Sequence, residues 1–229
     1  AQELQLLIST KIDRYHTNKI VAGNSLGVIS AHVDYIRPVA QAGAIPVYAE
    51  LLEGPNPSGK EIAEDVFCIL AVAEANAVEI AGHLVRILRE GDDEAKASAA
   101  DVMLDLSGYK HTTSVVRDSG AIPILVELLG SGSEDVKVNV FGAFAQLSYD
   151  GTDRMALAEA GAVPILIDLM NDVDEVEELR DNAAEALVNY YVDPLYHDRV
   201  SDAINVPLFR NMQNRLTQEA LEDYRWQEP

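Results

Sequence analysis

Cysteine is nearly absent: Cys68 is the only one in 229 residues. No disulfide can form within the chain, and no thiolate cluster is present to hold zinc. The setting this predicts is intracellular, cytoplasmic and/or nuclear. Cationic side chains are scarce too, with 17 Lys and Arg against 38 Asp and Glu and a formal net charge of −21. Nucleic-acid binding draws most of its strength from Lys and Arg displacing counterions around phosphate. A polyanion of this size therefore fits neither nucleic acid nor an anionic membrane. No apolar run approaches the roughly 20 residues that cross a bilayer. The N-terminal AQELQLLISTK has neither the charge order nor the cleavage pattern of a signal peptide, and it lacks an initiator Met. A trimmed chain or a piece of a longer polypeptide is the expectation.

Catalytic signatures are missing as well: there is no glycine-rich phosphate loop, no G-x-S-x-G, no His-Glu-x-x-His and no paired cysteine. The five histidines, His16, His32, His83, His111 and His197, are scattered. The acidic run NDVDEVEE fails as a calcium loop, because it has no turn glycine and position 12 counted from Asp172 is Ala183. The chain is expected to be a non-enzyme with no cofactor and no metal. Its 48% apolar content is enough for a substantial core, so disorder is excluded.

What the chain does have is a period. Gly43-Ala44-Ile45-Pro46, Gly120-Ala121-Ile122-Pro123 and Gly161-Ala162-Val163-Pro164 nearly coincide, and Gly82-His83-Leu84-Val85 falls between the first two. The intervals from glycine to glycine are 39, 38 and 41 residues. Such a repeat marks a solenoid. In each unit a glycine is expected to end one helix, a proline suits the first turn of the next, and an apolar stretch such as ILVELL follows. A polar turn comes next (EGPNPSGK, REGDDE, GSGSED or NDVDEVEE), then a longer helix such as AKASAADVMLDLS or VKVNVFGAFAQLS. Apolar residues recur at i, i+3, i+4 and i+7 throughout, and β-type alternation is missing, which predicts an all-α fold.

Two helices joined at G-A-[IV]-P, an acidic turn and a long helix closing near Leu-Ser together resemble the armadillo repeat, over most of the chain. The wording GAIPILVELLGSGSEDVKVN is most similar to plant members. The resemblance implies one domain over 1–229, an α-solenoid wound as a right-handed superhelix. Its units are an incomplete one at about 1–42, full ones at 43–81, 82–119, 120–160 and 161–203, and a capping tail at 204–229. In that tail Leu208, Met212 and Leu216 form one apolar face and Trp226 is expected to pack.

The resemblance also implies that function lies on the concave surface lined by the third helix of each unit. Ser98, Asp101 and Asp105 stand at i, i+3 and i+7 of one such helix, which sets them in a narrow stripe. Asn139, Gly142 and Gln146 repeat the register, as do Asn182, Glu185 and Asn189. In peptide-binding armadillo proteins an Asn at the place of Asp105, Gln146 and Asn189 clamps the ligand's main chain, acting as donor and acceptor. Only Asn189 keeps it here. The importin-alpha group carries Trp where this chain has Asp101, Gly142 and Glu185, so a receptor of that type is not expected. With Asp65, Ile69 and Val72 at the matching places of the earlier helix, the groove is expected to be acidic in its C-terminal half and apolar in its N-terminal half.

These readings converge on a monomeric scaffold that binds a protein partner through a Lys/Arg-containing or mixed basic and hydrophobic segment. The acidic turns are expected to stack along one edge as solvated charge or as a docking edge. Two alternatives stay open. One is a small-molecule-binding or catalytic solenoid using Asp101, Asp105 and His111; the other is the substrate-recruiting region of a larger protein such as a plant U-box ubiquitin ligase.

Overall fold

The computed structural model describes residues 16–200 and 207–226, with side chains over 20–200 and 207–218. Among the described residues every regular element is helical. Helix α1 (His16–Ser30) is followed by a 3₁₀ turn (Val33–Tyr35) and by α2 (Ile36–Gln41), α3 (Ala44–Glu53) and α4 (Pro57–Leu70). Then come α5 (Glu74–Glu90) and α6 (Asp93–Ser107). The triplet α7 (Lys110–Asp118), α8 (Ala121–Ser131) and α9 (Glu134–Ser148) precedes a second, α10 (Gly151–Glu159), α11 (Ala162–Asn171) and α12 (Glu177–Tyr191). A 3₁₀ turn (His197–Val200) and α13 (Pro207–Trp226) complete the series.

The glycine junctions have a backbone cause. Gly43, Gly120 and Gly161 sit at φ +87°, +80° and +94°, the left-handed region in which a side chain clashes with its own backbone. Each breaks the chain between a short first helix and the apolar second one. Pro46, Pro123 and Pro164 follow as the third helical residue, where a missing N–H costs nothing because first-turn donors have no carbonyl to reach. Gly82 departs from this pattern. Its φ is not positive, and it lies inside α5, which runs unbroken for 17 residues. Val85 stands where the others have proline, so its amide can join the helical ladder and the first two helices of that unit fuse. His83 is therefore mid-helix instead of at a helix start.

Several residues of the polar turns are helix caps. Asn56 accepts from Gly59 N at 3.1 Å, Asp92 from Ala95 N at 2.8 Å, and Asp150 from Thr152 N and Asp153 N at 2.8 and 3.1 Å. Each satisfies amides that a helix start leaves open.

The core is one continuous buried cluster from Leu26 to Met212, with Tyr48, Phe67, Phe141, Phe144, Tyr190 and Phe209 among its fully buried side chains. Each unit buries its apolar faces on its neighbours, which is how a solenoid is stabilised. The long helices α1, α4, α6, α9, α12 and α13 form the successive rungs, each against the next. Between α6 and α9 the approach depends on Gly142: a Cβ there would lie 2.9 Å from Leu104 Cδ2. Helix α13 caps the stack through buried Phe209 and Met212, with Leu208 and Leu216 half-buried; the Phe209 ring meets Tyr191 edge-on at 5.7 Å. The side chain of Trp226 lies outside the described residues.

Charged side chains tie the units together across the stack. Arg86 grips Glu53 through two bonds of 2.9 and 2.6 Å. Lys60 faces Glu94 at 3.8 Å, Lys137 holds Glu175 at 2.5 Å, and Arg117 reaches fully buried Asp153 at 3.2 Å. Arg154 bonds Asp193 twice, at 2.7 and 3.1 Å, and also donates to the carbonyl of Ser148 at 2.9 Å.

Candidate binding groove

The rungs α4, α6, α9 and α12 present equivalent residues in three rows. One row holds Ser98, Asn139 and Asn182; the next Asp65, Asp101, Gly142 and Glu185; the third Ile69, Asp105, Gln146 and Asn189. Asp101 and Asp105 are exposed, the other expected site residues are half-buried, and none is buried. The stripe is thus accessible along α6, α9 and α12.

Its chemistry differs from one end to the other. Between α4 and α6 the carboxylates crowd together. The Cys68 thiol donates to Asp105 Oδ2 at 3.1 Å. Burial, the bond to Asp105 and the charges of Asp105, Asp65 and Asp101 hold that thiol well above its ordinary range. Desolvation first, then the neighbouring Asp105, pushes the Asp101 carboxyl up. Burial likewise raises Glu64, opposed by a hydrogen bond with Ser98 and reinforced by Asp101 and Glu61. Among the described residues no Lys or Arg pairs with Asp65, Asp101 or Asp105. Among the described residues this patch is an anion surface without a neutralising cation, in which the Asp105 charge disfavours ionisation of Asp101.

Between α9 and α12 lies a cavity of about 280 Å³ with a floor of Gly142, Ala145 and Ala186 and a rim of Asn182, Glu185 and Asn189. Here the polar groups are partly committed. Asn189 Nδ2 donates to Ser148 Oγ at 3.1 Å, and Asn139 turns back to the Asp135 carbonyl of its own helix at 2.9 Å. The Tyr149 hydroxyl hydrogen-bonds Glu185; desolvation, then that carboxylate, raises its pKa. Arg215 of α13 stands 4.0 Å from Glu185. The acid without an ion pair among the described residues therefore stands on α4 and α6, beside the apolar Ile69 and Val72 of the N-terminal rung. The cause is local: Gly142 removes one acid from the row, and Tyr149 and Arg215 engage another.

The edge formed by the acidic turns also divides. Glu94 and Glu175 reach back to Lys60 and Lys137 of the preceding unit and act as struts between units. Asp93, Glu134, Asp135, Glu177 and Glu178 are exposed and make no ion pair among the described residues. Aligning the long helices from Lys60, Lys96, Lys137 and Arg180 onward exposes this basic column in the sequence, a signal that inspection of the acidic turns alone passes over. Cys68, Tyr149 and Arg215 had no such signal, since each acts across units. His111 makes no contact with Asp105 among the described residues; its ring lies 6.0 Å from that of Tyr109. No group of three or more His, Cys, Asp or Glu able to hold a metal ion occurs among the described residues, and no helix there is long and apolar enough to cross a membrane.

A stack of helical units sharing one core and presenting a row of long helices on one face defines an α-solenoid. Two of the units match a known repeat: residues 110–149 and 153–190 each match the family described as Armadillo/beta-catenin-like repeat. These matches begin at or just inside the first helices, α7 and α10, so the glycine junctions fall within the matched units. No curated protein matches the chain significantly. Among solved structures, a designed armadillo repeat protein in complex with the peptide (KR)4 is similar, at 22% identity, TM-score 0.68, and coverage of 96% of this chain and 98% of that one. Computationally designed armadillo repeat proteins for modular peptide recognition are similar too, at 20% identity, TM-score 0.66, and coverage of 93% and 98%. At these identities the likeness establishes the armadillo fold.

Proposed function

We propose that this chain is a non-enzymatic interaction module that holds an extended, Lys/Arg-containing segment of a protein partner across α4, α6, α9 and α12. The observation that carries the reading is the patch of Asp65, Asp101 and Asp105 on the accessible face of the rungs, which has no Lys or Arg partner among the described residues and in which Asp105 raises the Asp101 carboxyl. Cations of a partner would relieve that repulsion, so the patch contributes to binding and sets its polarity. The similar designed protein in complex with (KR)4 supports the same ligand class, and Asn182 and Asn189 beside the α9–α12 cavity offer amides for a peptide main chain. A labelled (Lys-Arg)4 octapeptide should bind with an affinity that falls steeply as salt rises. Asp101→Lys with Asp105→Lys should abolish most of that binding while the far-UV circular dichroism spectrum stays unchanged. Equal affinity of wild type and double variant, measured by fluorescence anisotropy, removes the patch from the ligand site.

A further inference from the structure

The two ends of α6, α9 and α12 differ in chemistry, and α4 shares the chemistry of their C-terminal ends. At the N-terminal ends of α6, α9 and α12 stand the exposed acids Asp93, Glu134, Asp135, Glu177 and Glu178, which make no ion pair among the described residues. At the C-terminal ends, one or two residues past the last helical residue, each unit exposes one large apolar side chain. These are Val72 after α4 (58% exposed), Tyr109 after α6 (56%), Tyr149 after α9 (62%) and Val192 after α12 (68%). Single exposed apolar side chains are ordinary, but one per unit, at the same turn of four successive units, sets an apolar ledge along the ends of the rungs. The carboxylates in the turns of Tyr149 and Val192 are committed, Asp150 to capping α10 and Asp193 to Arg154, so that part of the ledge is electrostatically quiet. Tyr149 also reaches into the groove, where its hydroxyl meets Glu185.

An extended segment crossing the rungs has its successive side chains on alternate sides. Lying flat on the row of Asp105, Gln146 and Asn189, it turns one set toward the adjacent acidic row and the other toward the apolar ledge. Packed helices lie roughly 8–10 Å apart, so four rungs span about 25–30 Å, the reach of about eight extended residues. The geometry points to a partner segment of about eight residues in which basic and bulky aliphatic side chains alternate, the basic set on the adjacent row of Asp65, Asp101 and Glu185, one helical turn away, and the apolar set on the ledge of Val72, Tyr109, Tyr149 and Val192. This rests on the groove reading above and specifies its ligand. Acid on one side and apolar surface on the other favour such an alternating segment over one that is basic throughout.

The test uses labelled octapeptides (Leu-Arg)4 and (Lys-Arg)4 against the full chain. Apolar contacts are not screened by ions, so (Leu-Arg)4 should retain binding at about 0.3 M salt where (Lys-Arg)4 loses it. Val72→Ser, Tyr109→Ser and Val192→Ser together, all at exposed positions, should weaken (Leu-Arg)4 by about tenfold and (Lys-Arg)4 by less than about twofold. Asp101→Asn with Asp105→Asn should weaken both. A photoreactive leucine analogue in (Leu-Arg)4 should crosslink to the turns that carry Val72, Tyr109, Tyr149 and Val192. If the acid variant weakens both peptides but the ledge variant spares (Leu-Arg)4, or crosslinks fall on the acidic row, the ledge proposal is wrong and the groove stands. If the acid variant changes neither peptide, or neither binds, both readings fall.

Discussion

The glycine junctions supply a test in which residues that look equivalent in the sequence should respond with opposite signs. Gly82 and Gly120 are consecutive members of the same periodic series, 38 residues apart. At Gly120 the backbone sits at φ +80°, and a Cβ would find nothing within 4 Å. Crowding with neighbours is therefore absent, and the cost of Gly120→Ala is the backbone's own. The left-handed conformation disfavours an L side chain by about 1–2 kcal/mol. Ala also reduces the freedom of the unfolded chain, which returns about 0.4–1 kcal/mol. The net is a destabilisation of about 1 kcal/mol. At Gly82 a Cβ again meets nothing within 4 Å, but the residue is an ordinary helical position exposed to water inside α5. There Ala replaces the second-worst helix former with the best, a gain of about 1 kcal/mol.

Equilibrium urea unfolding followed by far-UV circular dichroism should separate the two variants by about 2 kcal/mol, wild type lying between them. Thermal midpoints should move in the same sense, by about 2–4 °C per kcal/mol for a chain of this size. Gly161→Ala, at φ +94° with the same open surroundings, should follow Gly120→Ala. Shifts of the same sign for Gly82→Ala and Gly120→Ala would refute the claim that conformation, and not period, decides what these glycines do.

Two further outcomes follow from the charged contacts. The Cys68 thiol, desolvated and bonded to the Asp105 carboxylate, should alkylate slowly with iodoacetamide, and Asp105→Asn should speed it several-fold by removing the anion that disfavours the thiolate; an unchanged rate would mean that Asp105 does not hold the thiol. Arg154→Ala breaks the half-buried pair with Asp193 and frees the Ser148 carbonyl, a loss of about 2–3 kcal/mol, below the range for fully buried pairs. Hydrogen bonds from Arg154 and the Leu195 amide hold the folded Asp193 pKa below its ordinary value. The stabilisation is therefore present above the unfolded pKa and fades as pH falls through the folded one, so the gap between wild type and variant should narrow on acidification. A gap independent of pH would place the loss in packing instead.

Period, helical content and the position of the stripe were legible because they are local. A left-handed glycine followed three residues later by proline is a backbone instruction, and i, i+3, i+7 spacing orients side chains on any helix. The fusion at Gly82 could be read from the missing proline at Val85 once proline's role is stated. What could not be read is pairing across units. Glu94 and Glu175 look like two more acids in solvated turns until Lys60 and Lys137 of the preceding rung are seen beneath them. Glu185 looks like a groove acid equal to Asp101, yet Tyr149 and Arg215 approach it from α9's end and from α13. Such contacts depend on how far each unit rotates against the next, and no single unit's sequence encodes that angle.

The same separation explains how a chain with a net charge of −21 stays folded and still presents acid for binding. Self-repulsion opposes compactness, and the struts at Glu53, Glu94, Asp153, Glu175 and Asp193 place cations of one unit against acids of another, where they offset it. Among the described residues those struts lie away from Asp65, Asp101 and Asp105, none of which has a Lys or Arg partner there. Adding cations near these acids would be expected to stabilise the solenoid and weaken its ligand together.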